Sequence, residues 1–153
     1  MRFVFLALLL SLAALLLYIR LAPMQAGRWH VDPSTAERPS TPNAFIMRDE
    51  GGDRPAVVLL ASPQTVGAAL ETMLASAPRV TRLAGTAEDG FVTYVQRSRI
   101  MGFPDAISIR LSPTGEGTRI EIFSRSRFGY SDGGVNEARV TRWIARLEAA
   151  LTP

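Results

Sequence analysis

A chain of 153 residues has room for one folded core plus an appendage. With no cysteine and a single histidine it has no means of forming disulfides, thiolate nucleophiles or cysteine-based metal sites. Its formal charge of +3 comes from arginine alone, and once Arg2 and Arg20 are set aside 15 arginines face 14 acids, so bulk electrostatics gives nucleic-acid binding no support.

The first 22 residues are almost entirely apolar. Residues 3–19, FVFLALLLSLAALLLYI, carry no charge and are bracketed by Arg2 and Arg20. At ~1.5 Å per residue they reach the lower end of what crosses a ~30 Å hydrocarbon layer, and Leu21 and Ala22 lengthen the run while Arg20 snorkels outward. A cleaved signal peptide is the competing reading. Its apolar core is usually about 7–15 residues and ends in a small-x-small site, whereas the segment after Arg20, LAPMQAG, offers no convincing one. The expectation is an uncleaved transmembrane anchor over residues 1–22. Arg2 and the amino terminus nearly balance Arg20, Arg28 and Arg38, so flanking charge does not set the orientation. Likeness to a signal anchor gives the expected placement: single-pass, inner membrane, domain facing the periplasm.

Residues 23–56 hold Pro23, Pro33, Pro39, Pro42 and Pro55 among Gly, Ser and Thr, the composition of a linker or irregular arm. Trp29 suits either an interfacial anchor or packing onto the domain, and His30, the lone histidine, is read as structural. The domain is expected over residues 57–153. A short β-branched strand at 57–61 leads to Ser62, a helix cap, and Pro63, a first helical residue. The helix then carries Val66, Ala69, Leu70, Met73 and Leu74 on one face and stops before Pro78. Strands follow at 80–86 and 91–99 around the Glu88-Asp89-Gly90 turn, then at 106–112 and 118–128 around the turn at 113–117. A last helix begins near Asn136 and lines up Val140, Trp143, Ile144, Leu147 and Leu151. The order β-α-β-β-β-β-α describes an α+β fold, an antiparallel sheet of about five strands with two helices on one face.

The most distinctive segment is Phe123-Ser124-Arg125-Ser126-Arg127-Phe128-Gly129-Tyr130-Ser131-Asp132-Gly133-Gly134-Val135-Asn136-Glu137-Ala138-Arg139-Val140. It resembles the signature of the domain-of-unknown-function 1499 family (DUF1499), widespread in bacteria and plastids. There a strand ending in an Arg-Ser-x-Ser-Arg-like run leads into Gly-x-Ser-Asp-x-Gly-x-Asn and an arginine-bearing helix. Tyr94-Val95-Gln96-Arg97-Ser98-Arg99 with Gly102-Phe103-Pro104-Asp105 looks like the family's preceding strand and acidic segment, and Pro42-Asn43 like its boundary, so the resemblance covers about residues 42–151. Ala44 stands where the family often has Cys, and Ala106 where it often has a second acid, which weakens any thiol or metal chemistry at those positions. The resemblance implies a fold and a motif without a mechanism.

Two readings of the motif stay open. In one, Gly129, Gly133 and Gly134 permit positive φ, Asp132 forms an Asx turn, Asn136 caps the helix, and Arg125 and Arg127 pin the loop to Asp132, Asp105 or carbonyls. In the other, Arg125, Arg127, Ser131, Asp132, Asn136 and Arg139 build an anion site at a helix N-terminus for phosphate, carboxylate or a lipid head group. Neither metal-ligand spacing nor a nucleotide fingerprint is present, and no cofactor is expected. A non-enzymatic binding or interaction module at a membrane ranks first. A hydrolase-like enzyme using Ser131 and Asp132 with arginine support ranks second.

Overall fold

The computed structural model describes residues 1–152. Helix α1, Arg2–Leu21, buries none of its side chains against the rest of the chain and is long and apolar enough to cross a membrane. A single turn, α2 at Ala26–Trp29, follows it. The domain then runs β1 (Ala44–Met47), β2 (Val57–Leu59), α3 (Pro63–Ala75), β3 (Val80–Thr86), β4 (Phe91–Arg97), β5 (Pro104–Pro113), β6 (Thr118–Ser126) and α4 (Val135–Leu151).

The fold is α+β, with one antiparallel sheet in the order β1-β6-β5-β4-β3. It has six strands where about five were expected. The additional strand, β1, lies in the stretch read as a linker, and it shares an edge with β2. Residues 44–47 pair with 122–125 of β6, while 57–59 pair with its start at 118–120. The sheet is therefore five strands wide, with one edge row made of two short pieces. Strand β4 ends at Arg97 rather than Arg99, because Ser98 and Phe103 exchange hydrogen bonds that close the turn into β5.

Helices α3 and α4 cover one face. Ser62 caps α3 by accepting from the Thr65 amide, with Pro63 in the first turn. Val66, Leu70, Met73 and Leu74 of α3, with Val140, Trp143, Ile144 and Leu147 of α4, bury themselves on Val92, Tyr94, Ile107, Ile109, Ile120 and Ile122. These strand positions alternate, so the residues between them point the other way.

The opposite face is sealed by the arm that follows α1. Ala36 packs with Ile46 and Phe123. Trp29 is buried, and its carbonyl accepts from Ser108 and Arg125. His30 stacks on Phe91 with ring centroids 3.8 Å apart, and its Nδ1 lies 2.8 Å from the buried Thr93 hydroxyl. Asp32 pairs with Arg110, and Arg48 donates to the carbonyls of Pro33, Ser34 and Ala36. Residues 22–36 are thus a strap, and His30 and Trp29 are its rivets.

Burial lowers the pKa of His30, against an opposing pull from the charge of Asp32. A folded-state value below the unfolded one means that protonation favours the unfolded chain. The stabilisation is complete above the unfolded pKa and is lost as pH falls through the folded value. Thermal midpoints of the detergent-solubilised protein should drop between about pH 7.5 and about pH 5.5, the window around an ordinary imidazole, and His30→Asn should flatten that dependence.

Candidate functional site

The residues singled out in the sequence fall into two groups on opposite faces of the sheet. The first group lies under α4. Arg139, 4% exposed, donates to Asp105 at 2.5 Å, to Gln96 Oε1 at 2.6 Å, to Asn136 Oδ1 at 2.6 Å and to Ser124 Oγ at 3.0 Å. Asn136 is fully buried, and its Nδ2 donates to the Asn43 carbonyl, Ser126 Oγ and Asp132. The charge of Arg139 is paired with Asp105 and every buried polar side chain here is hydrogen-bonded, the condition under which buried polar groups hold a fold together.

The helix start follows from the same network. Asp132 Oδ1 accepts from the Gly134 amide, the expected Asx turn, while Oδ2 accepts from the Asn136 amide. Gly134, not Asn136, is therefore the N-cap position of α4; Asn136 sits inside the first turn, and the carboxylate of Asp132, two residues before the cap, accepts from the Asn136 amide. Gly129, Gly133 and Gly134 have φ of 93°, 60° and 82°, conformations open to glycine. The N-terminus of α4 has its own carboxylate bound to it, and Asp53 and Glu137 line the adjoining hollow with Asp132. Negative charge fills the position at which an incoming anion would have to dock.

The second group lies on the strap face. Arg125 is sandwiched between Trp29 and Phe123, its guanidinium 4.8 and 4.5 Å from the ring centroids, and it donates to the Arg28 and Trp29 carbonyls. Arg127 donates to the Pro23 carbonyl and lies over Phe128. Arg97 donates to the carbonyls of Arg20, Ala22 and Gly102. Neither Arg125 nor Arg127 meets Asp105 or Asp132; both bond carbonyls of the strap. Of these arginines, Arg97 serves the end of α1, by donating to the Arg20 carbonyl, one of the last carbonyls that have no partner within the helix.

Arg28, Arg125 and Arg127, with Thr41 and Ser126, line an open hollow of about 270 Å³ floored by Trp29. No carboxylate lines it. Arg20, Arg28, Arg97, Arg99, Arg125 and Arg127 enter no ion pair among the described residues, whereas Arg38, Arg54, Arg82, Arg110, Arg119 and Arg139 all do. Burial and then the neighbouring Arg28 push Arg125 down to about 10, and burial with the nearby Arg127 lowers Arg97. Arg28, Arg125 and Arg127 thus crowd the hollow with positive charge that no lining carboxylate offsets. Ser131 and Asp132 stand apart from it. Arg28 and Arg97 were not singled out as site residues in the sequence. Arg97 stood within a quoted family segment, but nothing local marks Arg28, which reaches the hollow only because the strap folds back.

The family described as "Protein of unknown function (DUF1499)" matches residues 34–147. The chain belongs to it. Asn43, Asp105, Ser124, Asn136 and Arg139, which carried the resemblance in the sequence, belong to the buried network, so this part of the DUF1499 signature docks α4 on the sheet. Two solved structures share the fold. Protein CV1439 from Chromobacterium violaceum is 16% identical, with a TM-score of 0.51 over 73% of this chain and 99% of its own. Protein MLL2253 from Mesorhizobium loti is 14% identical, with a TM-score of 0.50 over 71% of this chain and 96% of its own. No curated protein matches.

Removing one partner of the Arg139–Asp105 pair strands the other charge in the interior. Arg139→Met should destabilise the domain by about 3–5 kcal/mol, and the double variant Arg139→Met with Asp105→Leu should recover part of that loss. Urea unfolding followed by tryptophan fluorescence measures both; a double variant no better than the single one would assign the cost to packing instead.

Proposed function

We propose that this DUF1499 protein is a single-pass membrane protein, anchored in the inner membrane by α1 with its domain on the periplasmic side, and that the domain is a non-enzymatic module binding anionic groups at the bilayer surface. The observation that carries this reading is the arginine hollow at the foot of α1. Three guanidiniums with no facing acid suit a phosphate or carboxylate, and a phospholipid head group is the anion that a membrane supplies at that level. Of the residues first considered for the site, Arg125 and Arg127 belong to it, and Arg28 joins them. Ser131, Asp132, Asn136 and Arg139 serve the fold.

The contacts between domain and helix favour a retained anchor. Ala22 is buried, Arg97 holds the carbonyls of Arg20 and Ala22, and Arg127 holds that of Pro23. Cleavage in this region would break bonds the domain makes. The hydrolase reading has less support, because Ser131 Oγ accepts from the Gly133 amide and both Asp132 oxygens are taken up by the start of α4. No free base adjoins the Ser131 hydroxyl among the described residues.

Two measurements test the proposal. The full chain should stay in the membrane fraction after alkaline carbonate and should retain its original N-terminus; release, or a start beyond position 22, would overturn the anchor. Inorganic phosphate and a short-chain phosphatidylglycerol, titrated into the detergent-solubilised protein, should both bind. Arg28→Ala and Arg127→Ala should each weaken binding roughly fivefold to thirtyfold, the loss of one charge-assisted hydrogen bond. Unchanged affinity in both variants would remove the site.

A further inference from the structure

The turn from β4 to β5 carries two apolar side chains that the fold leaves uncovered. Ile100 is 81% exposed and Met101 37% exposed, next to the exposed Arg99. The turn is not remote from α1. Gly102 packs so closely on its last turn that a Cβ there would lie 2.9 Å from Arg20 Cγ and 3.3 Å from Arg20 Cα. Its φ of 74° is also one that side chains disfavour. Arg20 in turn donates to the Ile100 carbonyl.

Ile100 and Met101 face the helix across a cleft lined by Ala13, Leu16, Leu17 and Arg20. With a rise of ~1.5 Å per residue, Leu17 and Leu16 lie ~4.5–6 Å along the axis from Arg20 towards the N-terminus, and Ala13 lies ~10 Å away. That is the direction of the hydrocarbon when Arg20 sits at head-group level. On another side of the same helix turn, Tyr18 meets Phe128 edge-on at 6.2 Å, and Phe103 lies 6.2 Å from Phe128, an aromatic set of the kind that settles at a membrane interface.

We infer that the β4–β5 turn is a second membrane contact, with Ile100 and Met101 inserted in the hydrocarbon beside α1 and Arg99 and Arg20 at the phosphate level above them. The occupant of the cleft is lipid acyl chain, because the cleft opens along a helix whose other exposed side chains, Leu9, Leu10 and Leu12 among them, are built for the same solvent. The inference rests on α1 spanning the bilayer and goes beyond the tether. A single helix leaves a domain free to swivel, whereas a second insertion point fixes its tilt and holds the arginine hollow towards the head groups.

The absence of cysteine from the chain makes depth measurable one position at a time. Full-length Ile100→Cys, Met101→Cys, Leu10→Cys and Gly115→Cys are each labelled with an environment-sensitive fluorophore. They are then reconstituted in vesicles of phosphatidylethanolamine and phosphatidylglycerol with nitroxide-bearing acyl chains. Gly115 lies in the turn between β5 and β6, at the far end of the sheet. Labels at 100 and 101 should show blue-shifted emission and quenching by the acyl-chain nitroxide, as the label at Leu10 does, while the label at Gly115 stays unquenched. If 100 and 101 behave like Gly115 while Leu10 is quenched, the second contact is overturned and the anchor stands. If Leu10 is also unquenched, both readings fail.

Discussion

An antiparallel sheet exposes two faces, and in this chain neither can be left to water. Ile107, Ile109, Ile120 and Ile122 point to one side and Ile46 and Phe123 to the other, all 2% exposed or less. Helices α3 and α4 bury the first set. The second is closed by a proline-bearing strap that has almost no regular structure and depends on individual bonds: the His30 imidazole on Thr93, Asp32 on Arg110, Arg48 on three carbonyls. Because that strap is also the continuation of α1, covering the sheet and tying it to the helix are one act. Arg97 at the end of β4 and Arg127 just past β6 complete the join, Arg97 by taking the carbonyls of Arg20 and Ala22 and Arg127 by taking that of Pro23.

The two arginine populations illustrate how environment decides the role of a residue type. Arg139 is enclosed, fully hydrogen-bonded and neutralised by Asp105, so its charge is consumed in holding α4 to the sheet. Arg28, Arg125 and Arg127 crowd one another without an acid lining their hollow, so their charge is not offset by a neighbouring carboxylate. All four lie within a few residues of the same signature or of the strap, yet only Arg139 has an acid beside it. A motif with so many turn-forming and charged residues invites a single explanation, and the strand's alternation divides it between two faces.

Much of this was legible in the sequence because it is local. The uncharged leader, the Ser62-Pro63 helix start, the Glu88-Asp89-Gly90 hairpin and the alternation in β5 and β6 each follow from neighbours within a few positions. The assignment of the helix cap to Asn136 missed the true N-cap, Gly134, because Asp132 and Asn136 are chemically similar and only the left-handed turn at Gly133 and Gly134 decides which carboxylate or amide faces the free N–H groups. The strap and β1 were illegible for a different reason. A four-residue strand beside prolines has no period to detect, and the strap's partners lie up to 104 positions away. The arginine hollow inherits that difficulty, because its Arg28 wall is brought in by the strap.

That long span sets an order of events during synthesis. The segment that must finally lie across β4, β5 and β6 is made before any of them, and it waits while most of the sheet is synthesised. His30 has no Phe91 or Thr93 to settle on until β4 is made, and Ala36 and Ile46 have no Phe123 to pack on until β6 follows. One oily side of the sheet is therefore closed only late in synthesis, when β6 brings the last of its residues.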